Sequence, residues 1–199
     1  MENSLESIGN EKRLKICLLG NTLVGKTALI NRFINGKYQT EHDRTIEEQY
    51  SKYVRIKDED CILEITDTGG LDEYQSSLDI WINNSDGFLL IYSINDKESF
   101  EGIKIRYEKI LKYKKSKKYC ILIVGNKNDL EEGDDEKKER KVDKEEVDKF
   151  CSENKLENME VSALKNSNIN DIFMKIGGDV LDKIFLSRRR GDKRFCCFC

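Results

Sequence analysis

Leu14-Lys15-Ile16-Cys17-Leu18-Leu19 runs into Gly20-Asn21-Thr22-Leu23-Val24-Gly25-Lys26-Thr27, and that octet into Ala28-Leu29-Ile30-Asn31-Arg32-Phe33. An apolar run of strand length, a G-x-x-x-x-G-K-[ST] octet and an amphipathic helix in this order predict a loop that wraps phosphate groups. Each position has a chemical reason. Gly20 and Gly25 let the backbone turn tightly, so that successive N–H groups point inward. The helix start adds free N–H donors and a favourable dipole. Lys26 can neutralise β- and γ-phosphates, and the Thr27 hydroxyl can ligate Mg²⁺.

Outward from that unit, apolar runs alternate with amphipathic stretches, which predicts a βα series around a mostly parallel sheet. Strands are expected at 14–19, 49–57, 61–66, 87–92, 119–124 and 157–161, with 49–57 and 61–66 joined as a hairpin around 58–60. Helices are expected at 26–35, 97–113, 143–154 and 168–186. The last carries Ile169, Ile172, Phe173, Ile176, Val180, Leu181 and Ile184 in one stripe, although Gly177 and Gly178 weaken its middle turn. The almost wholly charged stretch 131–141 is expected as an exposed loop serving solubility.

Two further motifs narrow the ligand. Asn126-Lys127-Asn128-Asp129 follows the strand ending at Val124. A carboxylate there can accept from both N1–H and the exocyclic amine of guanine, whereas the ring N1 of adenine is an acceptor. Discrimination then comes from the buried carboxylate that the wrong base leaves unpaired. Asp67-Thr68-Gly69-Gly70 ends the third strand, where a carboxylate is placed to hold Mg²⁺ through water and the glycines permit a moving segment beside a γ-phosphate.

With these motifs in this order, the chain resembles the Ras family of small GTPases over roughly residues 12–186. The resemblance implies a three-layer α/β fold of the P-loop NTPase type, a mostly parallel six-stranded sheet with helices on both faces. It implies a flexible extension at 1–12, a G domain at 13–186 and a membrane-targeting tail at 187–199. Bound GTP or GDP and Mg²⁺ are expected. Residues 20–27 with Ala28 would line the phosphates, and Tyr38 would stack on the guanine. Asn126, Lys127 and Asp129 would read the base, and Ser162, Ala163 and Leu164 would close over it. Thr27, Thr45 and Asp67 would hold the metal, and Lys26, Thr45, Gly70 and position 71 would serve hydrolysis.

Asp43 and the run Thr45-Ile46-Glu47-Glu48-Gln49-Tyr50 resemble the effector stretch of the Ras and Rap branches. That implies effectors with Ras-binding-like domains, an exchange factor, and an activating protein. The chemistry agrees: an exposed strand edge with outward Glu47 and Glu48 can pair with a basic partner domain.

The chain departs from the pattern at several positions. Leu71 stands where the family has a glutamine that orients the attacking water, and leucine has neither donor nor acceptor. Thr22 and Leu23 replace glycines where an incoming arginine must approach, and Arg44 replaces a common proline. GTP hydrolysis is therefore expected to be slow. The alternative is that another group orients the water, for which Glu73, two residues past Leu71, is a candidate.

Composition sets the remaining expectations. The net charge of −3 over 199 residues does not suit a nucleic-acid-binding domain, and a monomer is expected. Of seven cysteines, Cys17, Cys61, Cys120 and Cys151 fall in apolar runs or a helical pattern and read as small buried hydrophobes. Cys196, Cys197 and Cys199 follow the basic run 188–194. Base plus cysteines reads as a lipid anchor on an anionic membrane, at Cys196 as a C-a-a-X prenylation site or at Cys197 and Cys199 as a C-x-C ending. The expected place is the cytoplasmic face of the plasma membrane, or alternatively an endomembrane. A signalling switch is favoured over a Rab-like trafficking GTPase, and a GTP-locked scaffold is the third reading.

Overall fold

The computed structural model describes residues 11–38, 47–69, 75–116, 118–132 and 139–186. Strand β1 (Lys12–Leu19) leads through the glycine-rich loop into helix α1 (Lys26–Asn35). β2 (Glu47–Ile56) and β3 (Glu59–Thr68) form the hairpin, followed by α2 (Gln75–Asn84) and β4 (Gly87–Ser93). Then come α3 (Lys97–Tyr113), β5 (Cys120–Asn126), α4 (Lys144–Asn154), β6 (Glu157–Val161) and α5 (Ile169–Val180). The sheet order is β2-β3-β1-β4-β5-β6, with only the β2–β3 pair antiparallel. This is the α/β fold expected from the sequence.

Period-two alternation sorts the strand residues into two cores. Leu14, Ile16, Leu18, Leu89, Ile91, Leu122 and Val124 face α1 and α5, where Phe33 stacks on Phe173 at 4.1 Å. Cys17, Leu19, Phe88, Leu90, Tyr92 and Ile123 face the other layer, meeting Ile82, Phe100, Ile103 and Val147. Both faces are thus covered, which is why the central strands read as continuous apolar runs.

Several boundaries differ from the sequence reading. β2 and β3 extend by two residues toward their open ends, because hydrogen-bonded pairing continues from Glu47↔Thr68 to Ile56↔Glu59 regardless of polar side chains. The hairpin turn is Lys57-Asp58, both with positive φ (49° and 64°), the conformation of a tight two-residue connection. Helix α2 has no counterpart in the sequence reading. Its Leu78, Trp81 and Ile82 pack on the second core. Helix 168–186 divides into α5 and a π-helical turn over Leu181–Leu186. Gly177 does not break α5. A Cβ there would stand 2.7 Å from Ile56 Cδ1 and 3.2 Å from Leu63 Cδ2, so the glycine admits the hairpin against the helix. Cys17, Cys61 and Cys151 are buried as expected, but Cys120 is only half-buried because β5 begins there.

The strand order changes direction at β1, which has β3 on one side and β4 on the other. Loops leaving the carboxyl ends on either side of such a point diverge and open a crevice. The residues from 20 onward emerge at that edge. Asp67 lies in register with Leu18, Asn126 with Ser93, and Val161 with Asn126, so four loops meet there.

Candidate functional site

The turn from β1 into α1 is built on backbone that only some residues can adopt. Gly25 has φ of 97°, and a Cβ on it would stand 2.4 Å from Asn126 Nδ2. Leu23 also has positive φ (62°) and is 79% exposed, a costly arrangement for a bulky side chain. It is held by Lys127, whose Nζ donates to Leu23 O at 2.8 Å. Thr22 is exposed beside it. The two side chains expected to stand in place of glycines are therefore both exposed on the loop.

Lys26 is buried, and its ammonium donates to Gly20 O at 3.0 Å and Asn21 O at 2.8 Å. Burial pulls its pKa down to about 8, against the pull of Asp67, while the charge of Arg106 adds to the lowering. Asp67 is fully buried and its pKa is pushed up to about 6 by burial, opposed by the Thr27 hydroxyl and by Lys26. The Thr27 hydroxyl donates to Asp67 Oδ2 at 2.5 Å. Asp67 Oδ1, equally buried, has no hydrogen-bond partner among the described residues. An orphaned carboxylate oxygen beside a threonine hydroxyl fits a hard cation, which takes oxygen ligands. Both shifts favour uncharged forms, and a dication with a polyphosphate would reverse them.

Asn126 ties the loops together. Its Nδ2 donates to Val24 O at 2.8 Å and its Oδ1 accepts from Ala163 N at 3.3 Å. The Ser162 hydroxyl donates to Asp129 Oδ1 at 2.5 Å and accepts from Lys165 N at 2.9 Å. Lys127 has positive φ (69°) and a pKa lowered by burial. Tyr38 packs against the first core, with the Arg32 guanidinium 5.7 Å above its ring. Leu164 is half-exposed at the rim. The structure thus brings together residues 20–28, Tyr38, Asp67, Asn126, Lys127, Asp129 and Ser162–Leu164. Asp43, Thr45, Ile46, Gly70, Leu71 and the three tail cysteines lie outside the described residues, and of Glu47 only the backbone is described.

Three arginines were missed by the sequence reading. Arg32 donates to Ala163 O (3.0 Å) and Leu164 O (2.8 Å), bracing the loop that carries Ser162. Arg140 donates to Glu131 at 2.5 Å and to both oxygens of Glu160 at 2.8 Å. It so links the stretch after Asp129 to the stretch before Ser162. This corrects the picture of 131–141 as loop alone: Asn128–Glu132 is a 3₁₀ turn, and Arg140 is a half-buried strut. Arg106, the third, donates to Asn21 Oδ1 at 2.7 Å. The missing signal is physical: the Arg32 and Arg106 contacts join residues far apart in the chain, and Arg140 stands among many charged neighbours.

A glycine-rich turn at a sheet switch point, a buried lysine and carboxylate, and an Asp–Ser pair on neighbouring loops define a P-loop nucleotide-binding protein. The Ras family model matches residues 15–182. A similar protein is "Ras-like protein rasU" of Dictyostelium discoideum, 35% identical over 167 residues, covering 84% of this chain and 75% of that protein. The chain belongs to the Ras family of small GTPases, proteins that bind GTP and hydrolyse it to GDP and phosphate and so switch state with the bound nucleotide.

Proposed function

We propose that this chain is a membrane-anchored signalling switch that hydrolyses GTP slowly and dwells in its GTP-bound state. The observation that carries the reading of the site is the orphaned Asp67 oxygen beside Thr27 and Lys26, at the end of the phosphate loop. On this reading, backbone N–H groups of 20–27 and the Lys26 ammonium bind the phosphates, while Thr27 and Asp67 position Mg²⁺ together with Thr45. Mg²⁺ held by these residues would supply positive charge to offset that of the phosphates. Asp129 reads the guanine edge, Ser162 orients that carboxylate, and Asn126 and Lys127 hold the base-reading loop to the phosphate loop.

Slow hydrolysis rests on Leu71, which cannot orient water, and on Thr22 and Leu23, which occupy the mouth where an arginine would enter. Effector binding is assigned to Asp43 and 45–50. β2 is an edge strand, Glu48 and Gln49 are exposed, and Tyr50 donates to the Glu48 carboxylate, which supports pairing with a basic partner. Exchange factor and activating protein are the partners the family implies.

No helix among the described residues is long and apolar enough to cross a membrane. Attachment is assigned to the basic run 188–194 with Cys196, or with Cys197 and Cys199. Intact mass of protein from its native cell should show an isoprenyl increment, and its absence would remove the anchor.

The metal reading is tested by nucleotide release across a titration of free Mg²⁺. Asp67→Ala is expected to raise the Mg²⁺ concentration that half-slows release by about 10–100-fold. An unmoved midpoint would exclude Asp67 from the metal site.

A further inference from the structure

Arg106 sits on α3, in the helical layer beside the nucleotide edge of the sheet, and its guanidinium turns toward the phosphate loop. Nη1 donates to Asn21 Oδ1 at 2.7 Å and to Gly102 O at 3.0 Å. The residue is only 8% exposed. Burying a guanidinium is costly unless its donors are used, so the contact is a committed one.

The other partner is equally specific. The Asn21 side chain occupies a notch that exists because residue 102 is glycine: a Cβ there would stand 2.3 Å from Asn21 Oδ1 and 3.0 Å from Arg106 Nη1. Asn21 also donates to Glu98 O at 3.4 Å. Its carbonyl, meanwhile, accepts from Lys26 Nζ at 2.8 Å. One residue of the loop is therefore held on its side chain by α3 and on its backbone by the phosphate-facing lysine.

We propose that Arg106 is a positioning residue for nucleotide binding: acting through the Asn21 side chain in the notch left by Gly102, it holds the first half of the phosphate loop in its phosphate-receiving shape and slows nucleotide release. A loop held in its bound shape before the ligand arrives loses less freedom on binding. This inference rests on the reading of residues 20–27 as the phosphate loop. It adds an energetic connection between α3 and the bound nucleotide that runs through one side chain.

The test is the dissociation rate of a fluorescent GDP analogue from the full chain in saturating Mg²⁺, with thermal unfolding of each variant followed in parallel. Removing a charge-assisted hydrogen bond is expected to speed release about tenfold in Arg106→Met and in Asn21→Ala. The double variant should release no faster than either single one, because both remove the same contact. Gly102→Ala should speed release to the same degree while raising the intrinsic helix preference of α3. A merely structural role would not produce that combination. Arg106→Lys, which keeps a donor and the charge, should recover part of the effect.

Release at the unaltered rate in Arg106→Met, or multiplied effects in the double variant, would overturn the proposal. If Arg106→Met does not fold, Gly102→Ala, which leaves both partners in place, decides in the same way. Lys26→Ala serves as the control. If it loses nucleotide while the Arg106, Asn21 and Gly102 variants do not, the phosphate-loop reading stands and this inference falls. If Lys26→Ala retains nucleotide normally, both fall.

Discussion

Replacing Asp129 by asparagine should cost this protein its guanine nucleotide and turn its preference toward xanthine. The carboxylate offers two acceptors to the guanine edge, and Ser162 fixes its orientation by donating to Oδ1 at 2.5 Å. An asparagine keeps its oxygen on the Ser162 side, where a donor awaits it, and so places its NH₂ at the other position. That NH₂ then faces the exocyclic amine of guanine, donor against donor. Xanthine carries a carbonyl in place of that amine and accepts. Losing one hydrogen bond to a charged group, setting donor against donor in its place and weakening the remaining bond to a neutral oxygen lowers GDP binding by about 10³-fold. Competition of labelled GDP by GDP and by xanthosine diphosphate measures both halves of the expectation. Undiminished GDP affinity in Asp129→Asn would mean that the base is read elsewhere.

Most of this site was legible because its signals are local. The run from Leu14 to Thr27 carries strand, turn and helix within one stretch, and Asn126 to Asp129 follows directly on an apolar strand. What was not legible was held by distance. Arg106 meets Asn21 across 85 positions, Arg32 meets Ala163 across 131, and neither arginine has a local pattern that names its partner. Helix α2 is a different case. Leu78, Trp81 and Ile82 do stand at helical spacing, but ten residues with a polar first turn and no clear cap give a weak signal. Gly177 shows tertiary context overriding propensity: the pair of glycines argues against a helix, yet one of them is needed where Ile56 presses on α5. The charged stretch before Val142 hid a strut because Arg140 looks, in sequence, like its many charged neighbours.

The second large effect concerns hydrolysis. The attacking water must be held in line with the γ-phosphate, and in this family a glutamine after the switch II glycine does so. Leu71 offers no hydrogen-bond donor or acceptor for that task. Thr22 and Leu23 stand exposed on the phosphate loop, where on the proposed reading they would obstruct an arginine whose contribution in trans is about 10³–10⁵ in rate. On the same reading, loss of both aids would leave positioning of the phosphates by Lys26 and the loop as the main catalytic contribution. A protein so composed would be controlled by nucleotide supply, by location and by its removal rather than by an activating partner.

Single-turnover GTP hydrolysis by the purified chain, measured beside Leu71→Gln, is the most direct test of that account. The expected result is slow conversion in the unaltered protein and a rate at least about tenfold higher in Leu71→Gln, since the substituted side chain can hold the water. Equal rates in the two proteins, at the ordinary pace of the family, would contradict it and make this chain a conventionally cycling switch whose water is oriented by another group.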